Sequence, residues 1–111
     1  MVEGTAEIEQ AIYLILATYP GERPMRPEFG TPLADFVFDP ADGRTFGRIA
    51  FVVDEALRRW EPRIVVDDVL VGPSPESAEQ ILIEIEYHIR GEYSRRNLLV
   101  PFYRIPAGDN Q

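Results

Sequence analysis

Trp60-Glu61-Pro62-Arg63-Ile64 separates two kinds of pattern. Upstream, from about Arg44 to Trp60, the residues Ile49, Val52, Val53, Ala56, Leu57 and Trp60 recur with the spacing of one helix face. Arg48, Asp54, Glu55, Arg58 and Arg59 lie mostly outside that face. Downstream, Arg63 to Val71 is rich in β-branched residues and reads as a strand. Proline disfavours α conformation in the residue before it, so the helix is expected to end near Trp60 or Glu61. Glu61 and Arg63 then flank a stiff joint with opposite charges in a fixed relation. Such a pair can hold the corner as an internal salt bridge, or it can be a docking key for another protein. The local sequence leaves both open. An exposed pair contributes little to stability, so Arg63→Ala is expected to leave the fold intact and to impair assembly.

Towards the N-terminus, Thr5 to Thr18 reads as a first helix, with Ile8, Ala11, Ile12, Ile15 and Leu16 on one face. Thr5 is placed to cap it, with Glu7 and Glu9 near the positive end of its dipole. Pro20-Gly21 ends it. Tyr19 to Pro32 carries four prolines and two glycines, which excludes a long regular element and makes the segment stiff. A stiff loop of this length bearing Arg23, Arg26 and Glu28 fits a functional role, or else a packed connector with Met25 and Phe29 on the core. Leu33 to Phe38 reads as a short helical turn. Asp39-Pro40 reads as an N-cap followed by proline in the first helical position.

Towards the C-terminus, Gln80 to Arg90 alternates cleanly. Ile81, Ile83, Ile85, Tyr87 and Ile89 face one way; Leu82, Glu84, Glu86, His88 and Arg90 face the other. Asn97 to Ile105 is apolar on both faces, with Leu98, Val100 and Phe102 opposite Leu99, Tyr103 and Ile105. Pro101 inside it marks an edge strand. Pro106 to Gln111 reads as a frayed tail. The short links favour an antiparallel meander with the second strand central. The architecture expected is α+β, with two main helices packed on one face of a small three-stranded antiparallel sheet, in a single domain. The last strand is then an apolar edge, and soluble monomers usually blunt such edges. An uncovered one points to a strand added by another chain.

The totals narrow the function. At 111 residues the chain supports one core without metals or disulfides. It has no cysteine and one histidine, which excludes zinc-thiolate and multi-histidine sites and a cysteine nucleophile. No cofactor is expected. The formal net charge of -8 repels phosphate backbones, so neither nucleic acid nor an anionic membrane is an expected partner. Glu3, Glu7 and Glu9 stand where a signal peptide would be basic, and the apolar run Ala11 to Ala17 is too short to span a bilayer. All 11 basic residues are arginine. A GC-rich genome is the simpler reading of that bias; the other is use at interfaces, where the planar fork of arginine pairs bidentately with carboxylates.

Three blocks in order carry a family resemblance: Leu-Ala-Thr-Tyr-Pro-Gly-Glu-Arg-Pro-Met-Arg-Pro-Glu-Phe-Gly, then Arg-Trp-Glu-Pro-Arg-Ile, then Arg-Arg-Asn-Leu-Leu-Val-Pro-Phe-Tyr. From about Glu3 to Ile105 the chain resembles the gene-25-like baseplate wedge family of contractile phage tails, type VI secretion and phage-tail-like injection particles. The ordered set is specific, whereas Glu-Pro-Arg alone is a weak signal. The resemblance implies a structural subunit, six copies per baseplate ring, assembled in the cytoplasm into the particle. It implies a fold like the sheath's attachment domain, so that the first sheath ring docks on it. Its partners would be the sheath protein and other wedge subunits, with the inner tube or hub as a further neighbour. The Glu-Pro-Arg signature falls on Glu61, Pro62 and Arg63, tied in the family to assembly contacts. Arg23, Arg26 and Glu28 are second candidates for a wedge interface. The edge of Asn97, Leu98, Leu99, Val100, Pro101, Phe102 and Tyr103 is where a sheath strand would pair. Two features depart from the family. About four residues precede the first helix, where relatives often carry an arm, and the hairpin link Gly91 to Arg96 is short.

Some relatives bear a lysozyme-like label. A glycosidase needs two carboxylates roughly 5 to 9.5 Å apart, one with a raised pKa. Glu84 and Glu86 share a strand face, but such glutamates are ordinarily solvated. Glu61 beside Arg63 is expected to stay ionised, which is wrong for a general acid. No phosphate loop, nucleophile elbow or metal cluster is visible, so no enzyme is expected. His88 on the Glu84/Glu86 face reads as a half-exposed strand histidine more simply than as a pH switch or ligand. Tyr87, Trp60 and Phe51 read as core. The remaining alternative is a small adaptor module of the same fold.

Overall fold

The computed structural model describes residues 2–77 and 79–103, with the backbone alone for 2–4. The chain runs α1 (Val2–Ala17), a 3-10 turn (Leu33–Phe36), α2 (Gly43–Trp60), β1 (Ile64–Pro73), β2 (Gln80–Ile89) and β3 (Arg96–Tyr103). The sheet has the order β1-β2-β3, antiparallel throughout. The α+β meander read from the pattern is therefore the fold, with β2 central.

Strict alternation decides the packing. On β2, Ile81, Ile83, Ile85 and Tyr87 are fully buried, while the residues between them are only half-covered. Ile49, Val53, Ala56 and Leu57 of α2 and Ile8, Ile12, Ile15 and Leu16 of α1 close over them. Each buried Ile, Leu or Val side chain among them contributes about 1.5–3 kcal/mol by leaving water. The opposite face of the sheet has no helix among the described residues, and its Leu70, Leu99 and Tyr103 are exposed. Between Val66 and Asp68 the β1–β2 register shifts, and Asp67 is the extra residue of that bulge.

Several local expectations are corrected. α1 begins at Val2, so Thr5 lies inside the helix and does not cap it. The cap of α2 is Asp42, whose carboxylate accepts the Thr45 N–H at 3.0 Å; it is not Asp39-Pro40. The Asp42 N–H donates to the Pro40 carbonyl, so a tight turn delays the helix by three residues, and Asp39 instead pairs with Arg48 at 3.6 Å. Met25 is 90% exposed and Phe51 64% exposed; neither is core. Phe51 lies about 200° around α2 from Ile49, on the solvent side. Phe29, by contrast, is buried. β1 starts and β3 starts within a residue of expectation, while Ile105 and the tail 106–111 lie outside the described residues.

Candidate partner-binding site

The loop between α1 and the 3-10 turn is a folded unit. Backbone N–H groups of Glu22, Arg26 and Phe29 donate to the carbonyls of Tyr19, Arg23 and Arg26, making a chain of tight turns. Its ends are joined: the Thr31 N–H donates to the Thr18 carbonyl at 2.9 Å, and the buried Thr31 hydroxyl donates to the Ile15 carbonyl at 3.0 Å. Gly30 makes that closure feasible. Its φ is +123°, and a Cβ there would sit 2.2 Å from the Thr18 carbonyl oxygen. The loop is thus a compact Ω-type element anchored on the end of α1.

The end of α2 faces this loop. Phe29 meets Trp60 edge-on, with ring centroids 5.2 Å apart. The guanidinium of Arg23 lies 4.8 Å from the Phe29 ring centre, and that of Arg26 5.7 Å from the Trp60 ring centre. Arg59 covers Trp60 at 4.8 Å and forms an ion pair with Glu28. Glu28, one of the expected interface residues, therefore ties the loop to the last turn of α2.

The chain then turns through Glu61, Pro62 and Arg63. Glu61 is 3% exposed. Arg63 donates to it from Nε and Nη2, both at 2.8 Å, and its backbone N–H donates to the same carboxylate at 3.2 Å. These bonds, chiefly the side-chain one, hold the Glu61 pKa below its ordinary value against the opposing effect of burial. The Arg63 pKa is raised, mainly by Glu61. Arg90 grips the corner from β2, donating to the Pro62 carbonyl at 3.0 Å and the Ile64 carbonyl at 3.4 Å. The internal salt bridge is therefore real, and because one partner is buried it is not the exposed pair assumed from sequence. Removing Arg63 would leave a buried carboxylate unpaired, so Arg63→Ala is expected to weaken the fold as well as any contact.

Loop and corner together enclose an open pocket of about 520 Å³. Arg23, Arg26 and Arg63 line it above an apolar floor that includes Leu14, Phe29 and Trp60. Two separate sequence candidates thus share one cavity, with Glu28 to the side. Sequence reasoning missed Gly30, Arg90 and the aromatic floor. Trp60 immediately before Glu61 was the one available signal.

The β3 candidates form a second region. Leu98 and Val100 point into the core; Leu99, Pro101 and Tyr103 are exposed, and Asn97 hydrogen-bonds Glu84 across the open face. The Tyr13 hydroxyl donates weakly to the Leu99 carbonyl at 3.5 Å, so that carbonyl points away from β2. In an antiparallel ladder the backbone groups of 97, 99, 101 and 103 then face the open edge, and Pro101 offers no N–H there. Beside this edge Tyr13, Leu16, Leu33, Val37 and Phe102 line a largely apolar hollow of about 570 Å³.

The carboxylates weighed for catalysis are elsewhere. Glu84 and Glu86 lie half-buried on the helix-free face, and His88 Nδ1 lies 3.0 Å from Asp67. Among the described residues no group of three or more histidine or acidic side chains is placed to hold a metal ion, and no helix is long and apolar enough to cross a membrane.

Residues 2–94 match the family model described as baseplate wedge protein gp25. The baseplate wedge protein gp25 of Enterobacteria phage T4 is 32% identical over 87 residues, which are 78% of this chain and 64% of that protein's length. The putative tail lysozyme of Geobacter sulfurreducens is 40% identical, covers 94% of both chains and superposes with a TM-score of 0.84. A chain of the anti-feeding prophage baseplate is 26% identical, covers 78% of this chain and 70% of its own, and gives a TM-score of 0.71. With the family model spanning most of its length and the same fold in these relatives, the chain belongs to the gp25 baseplate wedge family.

Proposed function

We propose that this protein is a structural, non-catalytic wedge subunit of the baseplate of a contractile injection machine, present in six copies per ring. The corner pocket binds a neighbouring wedge component, and the open edge of β3 receives a strand of the first sheath ring, so that sheath assembly begins there. The inner tube or hub lies within reach, and assembly takes place in the cytoplasm. The observation that carries this reading is the convergence of Glu61-Pro62-Arg63 with Arg23 and Arg26 on one preformed cavity. The lysozyme reading of the Geobacter relative finds no support at the corner. Glu61 is held ionised by Arg63, whereas a general acid must keep its proton.

Co-purification with the cognate sheath protein and wedge subunits tests the reading, comparing wild type, Arg63→Ala and Leu99→Pro. The Leu99 N–H faces the open edge, so proline there removes a donor from the edge and leaves the β2 ladder bonded. Wild type captures both partners. Leu99→Pro, shown folded by circular dichroism, loses the sheath and keeps the wedge. Arg63→Ala loses the wedge. If wild type captures neither partner, the wedge reading fails and the adaptor module replaces it.

A further inference from the structure

We propose that the corner pocket is a receptor for an acidic-apolar peptide segment of a neighbouring chain. A carboxylate is held by Arg23 and Arg26, and an adjoining apolar side chain rests on exposed Leu14 and the edge of Trp60. The inference rests on the wedge reading for the origin of the segment, but its chemistry comes from the pocket.

Charge accounting leads there. The chain carries a net charge of -8, yet three arginines line this cavity. Among the described residues its one lining carboxylate, Glu61, is buried with both oxygens on Arg63. Arg48, Arg58, Arg59, Arg95 and Arg96 each pair with a carboxylate of this chain. Among the described residues, Arg23 and Arg26 pair with none and instead lie over the Phe29 and Trp60 rings. A guanidinium held over a ring and paired with no carboxylate keeps N–H donors for a planar acceptor such as a carboxylate. The tied Ω-loop holds both arginines ready, which reduces the ordering cost of binding. The apolar floor selects a segment carrying an apolar side chain beside its acid. The acidic surface elsewhere excludes an extended polyanion such as nucleic acid.

Trp60 is the only tryptophan in the chain and lies in the floor, so its fluorescence and indole N–H resonance report this pocket alone. The probe is a capped hexapeptide alternating aspartate and leucine, titrated against its asparagine-for-aspartate counterpart and against inorganic phosphate. The acidic peptide is expected to shift the Trp60 signals to saturation, weakening as salt rises. The asparagine peptide is expected to bind at least about tenfold more weakly, the loss of one charge-assisted contact. Arg23→Ala and Arg26→Ala are each expected to cost about tenfold, while Arg44→Ala, away from the pocket, changes nothing. Both targets are exposed, and unchanged thermal melting confirms the folds. Equal binding of the neutral peptide, an equal response to phosphate, no response at millimolar peptide, or unchanged affinity in the Arg23→Ala/Arg26→Ala double variant each overturns the proposal. The double variant is also taken through wedge co-purification. If wild type joins the wedge and the double variant joins equally, the receptor proposal fails and the wedge reading stands. If wild type does not join, the wedge reading itself fails.

Discussion

The corner and the β3 edge are both surfaces open to a partner, but they recognise in different ways. The corner is made of side chains held by an internal frame: a closed loop, a buried carboxylate, an edge-on ring pair and a clamp from β2. The edge offers backbone groups in a row, interrupted at Pro101 and touched by Tyr13. Backbone pairing gives affinity with little selectivity, whereas a rigid constellation of charged side chains gives selectivity at the cost of being sensitive to its frame. Substitutions in the frame of the corner should therefore propagate into stability, and those on the edge should not.

The comparison breaks most visibly at Gly30. Gly30→Ala places a Cβ into the Thr18 carbonyl at a positive φ and should cost about 3 kcal/mol or more in urea denaturation. Gly21→Ala in the same loop, with φ +102° but open space around it, should cost about 1 kcal/mol. Equal effects would mean that the loop is not closed as described. Next, Arg63→Ala should cost about 2 kcal/mol, less than for a wholly buried pair because Arg63 is itself half exposed. Adding Glu61→Gln to it should restore part of the loss, since no buried charge then remains.

The same carboxylate sets a pH dependence. Its folded pKa is lowered, so its stabilisation is fully present above the ordinary glutamate value of 4.5 and is lost as pH falls through the lower folded value. Denaturation between pH 6 and 3 should show this in wild type and not in the Glu61→Gln variant (the pH limits are about the range spanned by ordinary carboxylates). The smallest effect belongs to Tyr19→Phe, which removes an exposed 2.6 Å hydrogen bond to Asp35 and should leave the urea midpoint nearly unchanged. At the edge, Leu99→Pro should change partner capture far more than the melting temperature, and the reverse result would remove the contrast between the two regions.

Periodicity alone carried the two helices and the alternating β2, because side-chain spacing along one element depends on that element's own geometry, and the short links carried the meander. It also placed the stop of α2 at Trp60, since the conformational bias imposed by Pro62 is local. Local signals failed where two of them competed. Asp39-Pro40 and Asp42 both resemble caps, and the turn between them decided for Asp42. The burial of Phe29 beside the exposure of Met25, the close approach at Gly30 and the meeting of Arg23 and Arg26 with Arg63 were decided only in three dimensions. They join residues from about a dozen to about forty positions apart, and which of those touch is set by how α1, α2 and the loop pack together. Sequence by itself determined the elements and their order; tertiary packing alone turned a charged pair and a proline-rich loop into one pocket.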